Sequence, residues 1–365
     1  MNNTEITRLR LYNQRLSSTI FKTAGEVVNW LGAVQSQDYA GAKWAVAQRT
    51  QGLTDNDIEQ AFAEGKILRT HVMRPTWHFV LPEDIRWMLE LTGPRILALM
   101  AYMDRQLGLD KSIFKKSNAA LVKALRGGKQ LTRAELATVY QQAQINIDGL
   151  RLAQLLGHAE VDGILCSGGR RGKQFTHALI DERAPQARIL KRDEALTELA
   201  SRYFLSHGPA TLQDFVWWSG LTTADARKGL ESIKSQLTQE MSGDQTYWLP
   251  NSTPSTKSSS SQAYLLPNYD EYTVGYTERS AIFDPSHTNK LDSRGGILFQ
   301  YTIVLDGQIA GTWKRTIKKY EVVIEMTPFI TLTKVQKQAI TEAAERFGNF
   351  LGLPVSLTYK EKKNG

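Results

Sequence analysis

The 365-residue sequence predicts an α+β protein in which three tandem winged-helix units precede a small β-rich domain. Three observations predict this fold. Helix pairs with capping motifs recur along the chain, two short strand-like runs follow each pair, and the last hundred residues change to strand chemistry. A helix-turn-helix followed by a β wing is the winged-helix plan. Three unrelated helical hairpins are the alternative interpretation.

The capping motifs mark the predicted repeat. A threonine whose third following residue is acidic can accept a hydrogen bond from the first turn of a helix while the acid reaches back. The three motifs are Thr23 with Glu26, Thr132 with Glu135, and Thr211 with Asp214. We treat them as equivalent positions of one repeated unit, although such pairs also recur by chance.

Strand-like runs supply the predicted wings. Apolar and β-branched residues flank turn residues at 67–72 and 76–81, 164–167 and 174–179, and 238–241 and 246–249. Further strands are predicted at 264–266, 297–305, 308–315 and 320–326, with Asp306-Gly307 as a hairpin turn and a last helix over 334–351. The predicted divisions are 1–108 with bridging helices, 109–190, 191–250, a Ser-rich linker at 251–262, and 263–365.

Composition limits the classes of function. The 45 Lys and Arg exceed the 37 Asp and Glu, and the net charge of +8 favours a polyanionic partner. The single Cys166 excludes an intramolecular disulfide, and six scattered histidines show no metal-ligand spacing. No basic segment with an apolar core starts the chain, and no run of eighteen apolar residues occurs. We expect a cytoplasmic monomer without metal or cofactor.

A basic turn in the second wing is the strongest predicted DNA contact. Arg170, Arg171 and Lys173 lie among glycines at 168–172, and such a tip can lie against a phosphate backbone. Lys43, on a helix of the first unit, is a further predicted contact. The alternative for the turn is a solvated hairpin tip.

The first hairpin carries residues that can recognise a base. Arg74, Trp77 and His78 combine a cation, an aromatic ring and an imidazole beside one wing. They can line a base pocket or fill a distorted duplex. The alternative is that Trp77 belongs to the core and that His78 is a structural residue.

Gln35 and Gln37 lie at a break between two amphipathic helices. Their spacing of two places both amides on one side of an extended turn that faces Asp38. Capping or solvent-exposed glutamines are the alternative. Nucleophilic and cofactor enzymes are disfavoured, since no serine lies in a G-x-S-x-G elbow, Cys166 has no nearby base, and the glycine pairs match no nucleotide-binding loop.

Four motifs in the right order resemble the winged-helix family that contains the AlkZ and YcaQ DNA glycosylases. They are Gln35-Ser36-Gln37, and the segments 73–78, 265–272 and 311–315. The resemblance covers nearly the whole chain. It implies a basic DNA cradle with Gln35 and Gln37 at the catalytic centre, Asp38 as a further stabiliser or base, and duplex DNA as the partner.

The resemblance further implies hydrolysis of the N-glycosidic bond of N7-alkylated purines, including those in interstrand crosslinks. A glutamine amide cannot take a proton near neutral pH, so it can only orient and polarise a water. An N7-alkylated purine is cationic and leaves as a neutral base, so this assistance can suffice. Two alternatives remain, a non-catalytic DNA-binding regulator and a scaffold that binds protein.

Overall fold

A computed structural model describes residues 1–252, 261–291 and 296–360 of the chain. The predicted linker at 251–262 therefore lies largely outside the described residues, as do the last residues of the predicted C-terminal domain. After an N-terminal helix α1 (Asn3–Asn13), the elements of the first unit follow in the order helix, strand, helix, helix, strand, strand. They are α2 (Ala24–Leu31), β1 (Val34–Gln35), α3 (Tyr39–Ala47), α4 (Asp55–Ala63), β2 (Leu68–Val72) and β3 (Thr76–Val80).

The second unit repeats this order after a 22-residue connecting helix, α5 (Ile85–Gln106). Its elements are α6 (Lys111–Leu125), β4 (Leu131–Thr132), α7 (Arg133–Gln142), α8 (Arg151–Val161), β5 (Leu165–Ser167) and β6 (Thr176–Leu179), followed by the short α9 (Ile180–Arg183). The third unit contains α10 (Arg192–His207), α11 (Leu212–Ser219), α12 (Thr223–Ile233), β7 (Leu237–Ser242) and β8 (Gln245–Pro250).

Strand pairing repeats as well. The first two units each contain a three-stranded antiparallel sheet in which the short first strand pairs with the last, in the orders β1-β3-β2 and β4-β6-β5. In the third unit a single bridge from Ala210 to Trp248 takes the place of the short strand. Each unit therefore has the order of a winged helix, while the residue numbers predicted for the unit boundaries remain predictions.

The predicted alignment of the three capping motifs was wrong in the first unit. Thr132 and Thr211 cap the second helix of their units, whereas Thr23 caps the first helix, α2. The residue equivalent to Thr132 and Thr211 is Asp38, which caps α3 by accepting a hydrogen bond from the Gly41 N–H at 3.1 Å. All of these are sound N-caps, so local sequence could not distinguish the first helix from the second.

The C-terminal domain is a mixed five-stranded sheet covered by one helix. Its strands are β9 (Ala263–Leu266), β10 (Thr302–Leu305), β11 (Gln308–Ile317), β12 (Val322–Pro328) and β13 (Val355–Tyr359), in the order β13-β12-β11-β10-β9. A short helix, α13 (Glu271–Val274), follows β9, and α14 (Lys334–Leu351) has the predicted bounds. β10 begins five residues later than predicted, and β13, parallel to β12, was not predicted.

Helix α3 is fixed between the first unit and the C-terminal domain. The Trp44 ring packs against Phe347 and Phe350, with centroids 5.1 and 5.2 Å away, and its Nε1 donates to the Leu265 carbonyl at 2.7 Å. At the end of α3, Arg49 forms a fully buried ion pair with Asp270 at 2.8 Å. The chain that leads into α3, residues 35–38, is thus held at the junction of two domains.

Candidate active site

A cleft of about 1040 Å³ lies between the first and second units. Its walls come from the hairpin β2–β3, from α5, α7 and α8, and from the hairpin β5–β6. Apolar side chains of the three helices line most of it. The polar and aromatic residues that concern its chemistry are Gln37, Arg69, His71, Trp77, Glu160 and Lys173.

The segment Gln35–Gln37 is held by its backbone on the rim of this cleft. The Gln35 N–H donates to Glu271 Oε1 at 3.0 Å, and the Ser36 N–H donates to the Trp77 carbonyl at 2.7 Å. The Ser36 carbonyl accepts two hydrogen bonds from Arg69, from Nε at 3.2 Å and from Nη2 at 3.1 Å. Hydrogen bonds with Glu271, Trp77 and Arg69 therefore fix the backbone on both sides of Ser36.

The two glutamine side chains have different environments. Gln37 is exposed and lines the cleft, whereas Gln35 is 6% exposed and lies opposite His78 in the pairing of β1 with β3. The Gln35 Oε1 atom is buried and has no hydrogen-bond partner among the described residues. The prediction that both amides face one site therefore receives support from the geometry for Gln37 only.

Arg69 is the cation nearest the segment. Its guanidinium lies between two rings, 4.3 Å from the centroid of Trp77 and 4.7 Å from that of Phe175. Burial lowers the pKa of Arg69 to about 10, while the nearby Glu160 carboxylate acts in the opposite direction. The side chain remains charged at neutral pH, and the two rings hold its plane in the orientation that meets the Ser36 carbonyl.

Glu160 is the single carboxylate among the described residues that line the cleft. Its Oε2 lies 2.6 Å from His71 Nδ1, and its Oε1 lies 3.6 Å from His177 Nδ1. Burial alone would raise the pKa of Glu160, but His71, His177 and Arg69 hold it below its usual value. Sequence analysis missed Glu160 because its partners are brought to it from the two hairpins, and no spacing within α8 signals them.

A second buried carboxylate, that of Glu271, contacts the backbone of the segment at Gln35. It is 1% exposed and accepts hydrogen bonds from Trp218 Nε1 at 2.8 Å and from the Gln35 N–H, and His207 Nε2 lies 3.3 Å away. Burial raises the pKa of this carboxyl, yet the contacts with His207 and Gln35 bring it below its ordinary value. Glu271 belongs to one of the four family-like motifs, but its contact with Gln35 follows only from the tertiary structure.

Two residues predicted to recognise the lesion do not line the cleft. His78 is 1% exposed, and burial lowers its pKa to about 3, so it is a neutral side chain bonded to the Thr76 carbonyl at 2.9 Å. The Arg74 guanidinium lies 5.1 Å from the Trp217 ring of the third unit. Trp77 does line the cleft, beside His71 at a centroid distance of 4.5 Å.

Asp38 is committed to structural contacts. One carboxylate oxygen caps α3, and the other accepts a short hydrogen bond from the Tyr301 hydroxyl of the C-terminal domain. It is absent from the cleft lining. The predicted role of Asp38 as a stabiliser or base in the site therefore finds no support in its position.

The residues predicted to contact DNA have different environments. Lys43 is 4% exposed and its Nζ lies 2.8 Å from both Asp55 and Glu59, so two partly exposed carboxylates already pair with its charge. On the second wing, Arg170 pairs with Glu59 at 3.3 Å and Arg171 pairs with Glu135 at 2.8 Å. Lys173 lines the cleft, and no ion pair of it occurs among the described residues.

Two further findings concern the described part of the chain. It contains no group of three or more His, Cys, Asp or Glu side chains arranged to hold a metal ion. No helix within it is both long enough and apolar enough to cross a membrane.

Helix-turn-helix units with β wings, repeated along a chain, are typical of proteins that bind nucleic acid, and here two such units enclose a cleft with the exposed Gln37 on its rim. The model of the AlkZ-like DNA glycosylase family matches residues 28–350, so the chain belongs to that family. It is 25% identical to an interstrand DNA cross-link repair glycosylase from Streptomyces sahachiroi, over 95% of this chain and 97% of that protein. The solved structure of the Streptomyces sahachiroi DNA glycosylase AlkZ covers 97% of this chain and 99% of that one, with a TM-score of 0.79 at 22% identity.

Family membership favours a DNA glycosylase over a non-catalytic regulator or a protein-binding scaffold, and it identifies DNA as the partner. The likeness to the solved structure confirms the predicted α+β fold class.

Proposed function

We propose that this protein is a monofunctional DNA glycosylase that hydrolyses the N-glycosidic bond of N7-alkylated purines in duplex DNA, including purines joined in interstrand crosslinks. The observation that carries the proposal is the exposed Gln37 on the rim of the cleft, held there by a backbone fixed at Gln35 and Ser36. We infer that the protein acts as a cytoplasmic monomer on nucleoid DNA.

The chemistry suits an amide. When the glycosidic bond breaks, its electron pair moves to the cationic purine, which leaves neutral, and an oxocarbenium sugar remains. A water held by the Gln37 amide adds to C1′ and loses its proton to solvent, which leaves an abasic site. The contribution of Gln37 is orientation, and Gln35 contributes by its place in the strand that positions Gln37.

The described lining of the cleft contains one carboxylate, Glu160, together with the cations Arg69, Arg133 and Lys173. Glu160 remains ionised because its pKa is lowered, and negative charge favours an oxocarbenium ion electrostatically. Trp77 offers an aromatic surface beside Gln37, and Lys173 offers a cation for the phosphate backbone. Arg170, Arg171 and Lys43 contact DNA only if they exchange their present carboxylate partners for phosphates.

The proposal is tested by base release from a duplex that carries 7-methylguanine, detected as abasic sites under single-turnover conditions. Replacing Gln37 by Ala is expected to lower the rate by roughly 100-fold or more, the usual effect of removing one positioned polar group. Gln35→Ala is expected to lower it less. Gln141, an exposed glutamine on α7, provides the matched control.

Normal base release by Gln37→Ala would remove the proposed mechanism. Duplex binding by the wild type without any base release would instead favour the non-catalytic regulator.

A further inference from the structure

A second pocket, of about 600 Å³, lies on the C-terminal domain and has a strong excess of positive charge. Its described lining contains four cations and one carboxylate, namely Lys290, Lys314, Arg315, Lys360 and Glu325. Lys314 and Arg315 belong to the family-like motif at 311–315, for which the cleft gives no role. We call this feature the basic pocket.

The contacts of these side chains leave their charge available. Lys314 is exposed and lies opposite Glu325, the one acid of the described lining, in the pairing of β11 with β12. The Lys290 Nζ donates to a neutral acceptor, the Phe329 carbonyl, at 2.9 Å. The Arg315 guanidinium lies 4.4 Å from the centroid of the Tyr301 ring. Like charges gathered in one concavity repel each other and focus a positive potential, and an anion relieves both effects.

The basic pocket is joined directly to the segment that carries Gln37. Tyr301 lines the pocket, and its hydroxyl donates to Asp38, the residue that follows Gln37. Arg315 stacks on the same tyrosine ring. The basic pocket and Gln37 are therefore linked through two residues, Tyr301 and Asp38.

We propose that the basic pocket binds a backbone phosphate of the DNA that lies across Gln37, with Lys314 and Arg315 as its principal ligands. The inference rests on the proposed function. Asp38 then acts as a positioning residue. Its hydrogen bond with Tyr301 links the phosphate site to the first turn of α3 and so holds the bound phosphate at a set distance from Gln37. Lys290 and Lys360 add charge at the margin, and the Thr312 hydroxyl is a neutral donor in the same pocket.

The test is the salt dependence of binding to a duplex without a lesion, which requires no catalysis. Each lysine–phosphate contact contributes about 0.9 to the slope of log K against log salt concentration. Lys314→Gln is expected to reduce the slope by about one, so that the ratio of wild-type to variant affinity falls roughly threefold between about 50 mM and about 200 mM salt. Arg315→Lys, which retains the charge but loses the planar stacking group, is expected to retain most of the slope.

A substitution in the opposite direction strengthens the test. Glu325→Gln removes the one acid of the described lining and is expected to raise affinity for the duplex, so an effect caused by misfolding alone would have the wrong sign. The matched control is Lys228→Gln. Lys228 is 60% exposed and is paired with Asp193 at 2.6 Å on the third unit, and its loss is expected to leave the slope unchanged. Thermal melting confirms that each variant is folded.

An unchanged slope in Lys314→Gln, or a fall in affinity in Glu325→Gln, would overturn the proposal. A third experiment distinguishes a site for a DNA phosphate from a site for free phosphate. If titration with inorganic phosphate shows binding that Lys314→Gln abolishes while the duplex slope stays constant, the pocket is a site for free phosphate. Base release by the wild type with an unchanged slope would refute only the basic pocket, whereas a reduced slope without base release would refute only the glycosylase.

Discussion

At the scale of single residues, the site depends on how Arg69 holds one carbonyl group. Both of its hydrogen bonds go to the Ser36 carbonyl, and both of its faces are covered by Trp77 and Phe175. The backbone N–H of Arg69 donates to the Ser167 hydroxyl of the second unit at 2.8 Å. The geometry at Gln37 therefore depends on contacts with the second unit as well as on the first.

Replacing Arg69 by Ala is expected to slow base release by on the order of 100-fold, because displacement of a reacting group by about 1 Å has an effect of that size. The affinity for duplex DNA is expected to remain, since the guanidinium is buried and points at a carbonyl. Single-turnover kinetics and duplex titration measure the two effects separately.

Two variants distinguish positioning from general damage to the fold. Guanidinium ion at low millimolar concentration is expected to restore part of the rate of Arg69→Ala, because it can occupy the gap between the two rings. Arg69→Lys is expected to remain impaired, since an ammonium lacks the planar fork that meets the carbonyl. Equal losses of rate and of affinity, without rescue, would contradict a positioning role.

At the scale of elements, the third helices of the first two units are poorly suited to enter a DNA groove. Helix α4 carries Asp55, Asp57 and Glu59, so phosphates would repel it. Helix α8 buries most of its second half, from Leu155 to Val161, and forms one wall of the cleft. In these two units, the hairpins and the cleft rim therefore remain as candidate contacts with DNA.

The turn between α11 and α12 shows how closely the units are packed. Gly220 ends α11 with φ +69°, and a Cβ at this position would lie 2.5 Å from the carbonyl oxygen of Met73 at the tip of the first hairpin. Neither group can move easily, because the oxygen belongs to the backbone. The third unit is thus in direct backbone contact with the wing of the first.

Gly220→Ala is expected to destabilise the protein by about 2 kcal/mol or more, from left-handed strain of roughly 1 kcal/mol and the clash with Met73. Gly243→Ala is the matched control, since Gly243 has φ +56° but nothing within 4 Å of a Cβ. Urea denaturation of both variants isolates the clash. Equal losses of stability in Gly220→Ala and Gly243→Ala would contradict a close contact between Gly220 and the Met73 carbonyl.

At the scale of the whole molecule, charged and titratable groups are buried where domains meet. Arg49 with Asp270 joins the first unit to the C-terminal domain, and the His207–Glu271 contact joins the third unit to it. Removing one partner of such a pair leaves an uncompensated buried charge, which is more costly than the pair is stabilising. Substitution of either partner in such a pair is therefore expected to weaken the contact between the domains.

Mild acid is expected to destabilise the protein through its buried histidines. Burial lowers the pKa of His78 to about 3 and also lowers those of His177 and His207, whereas an unfolded histidine titrates near 6.5. Between these values the unfolded chain binds protons that the folded chain does not, so stability falls as the pH falls. Each histidine contributes at most about 1.4 kcal/mol per pH unit.

The measurement is the urea midpoint between about pH 7 and about pH 5. Glu160 and Glu271, whose pKa values are lowered, contribute stability that is lost only below the pKa of an unfolded glutamate, about 4.3, so this window isolates the histidines. In His78→Gln, the urea midpoint is expected to fall less between pH 7 and pH 5, because one of the buried histidines no longer contributes. A midpoint that is constant from pH 7 to pH 5 would contradict the expectation.

Local chemistry made much of the fold predictable. Hairpin strands, helix caps and the bounds of α14 depend on residues a few positions apart, so their signals lie within one stretch of sequence. Strand β13 was not predicted because its partner β12 lies about thirty residues earlier and pairs in parallel. The cap at Thr23 starts the predicted helix, but it was treated as equivalent to Thr132 and Thr211 for a related reason, since a cap identifies the start of a helix but not which helix of a unit it starts.

The sequence by itself determined the fold class and the recurrence of helices followed by hairpins, and it indicated Gln35–Gln37 as a candidate catalytic segment, because each rests on local patterns or on a motif in fixed order. Only the tertiary structure decided which groups meet. It placed Gln37 on the cleft and Gln35 behind it, gave the cleft the carboxylate of Glu160 instead of Asp38, and paired Lys43 with acids. Burial and charge pairing depend on partners far away in the chain, and no local spacing records them.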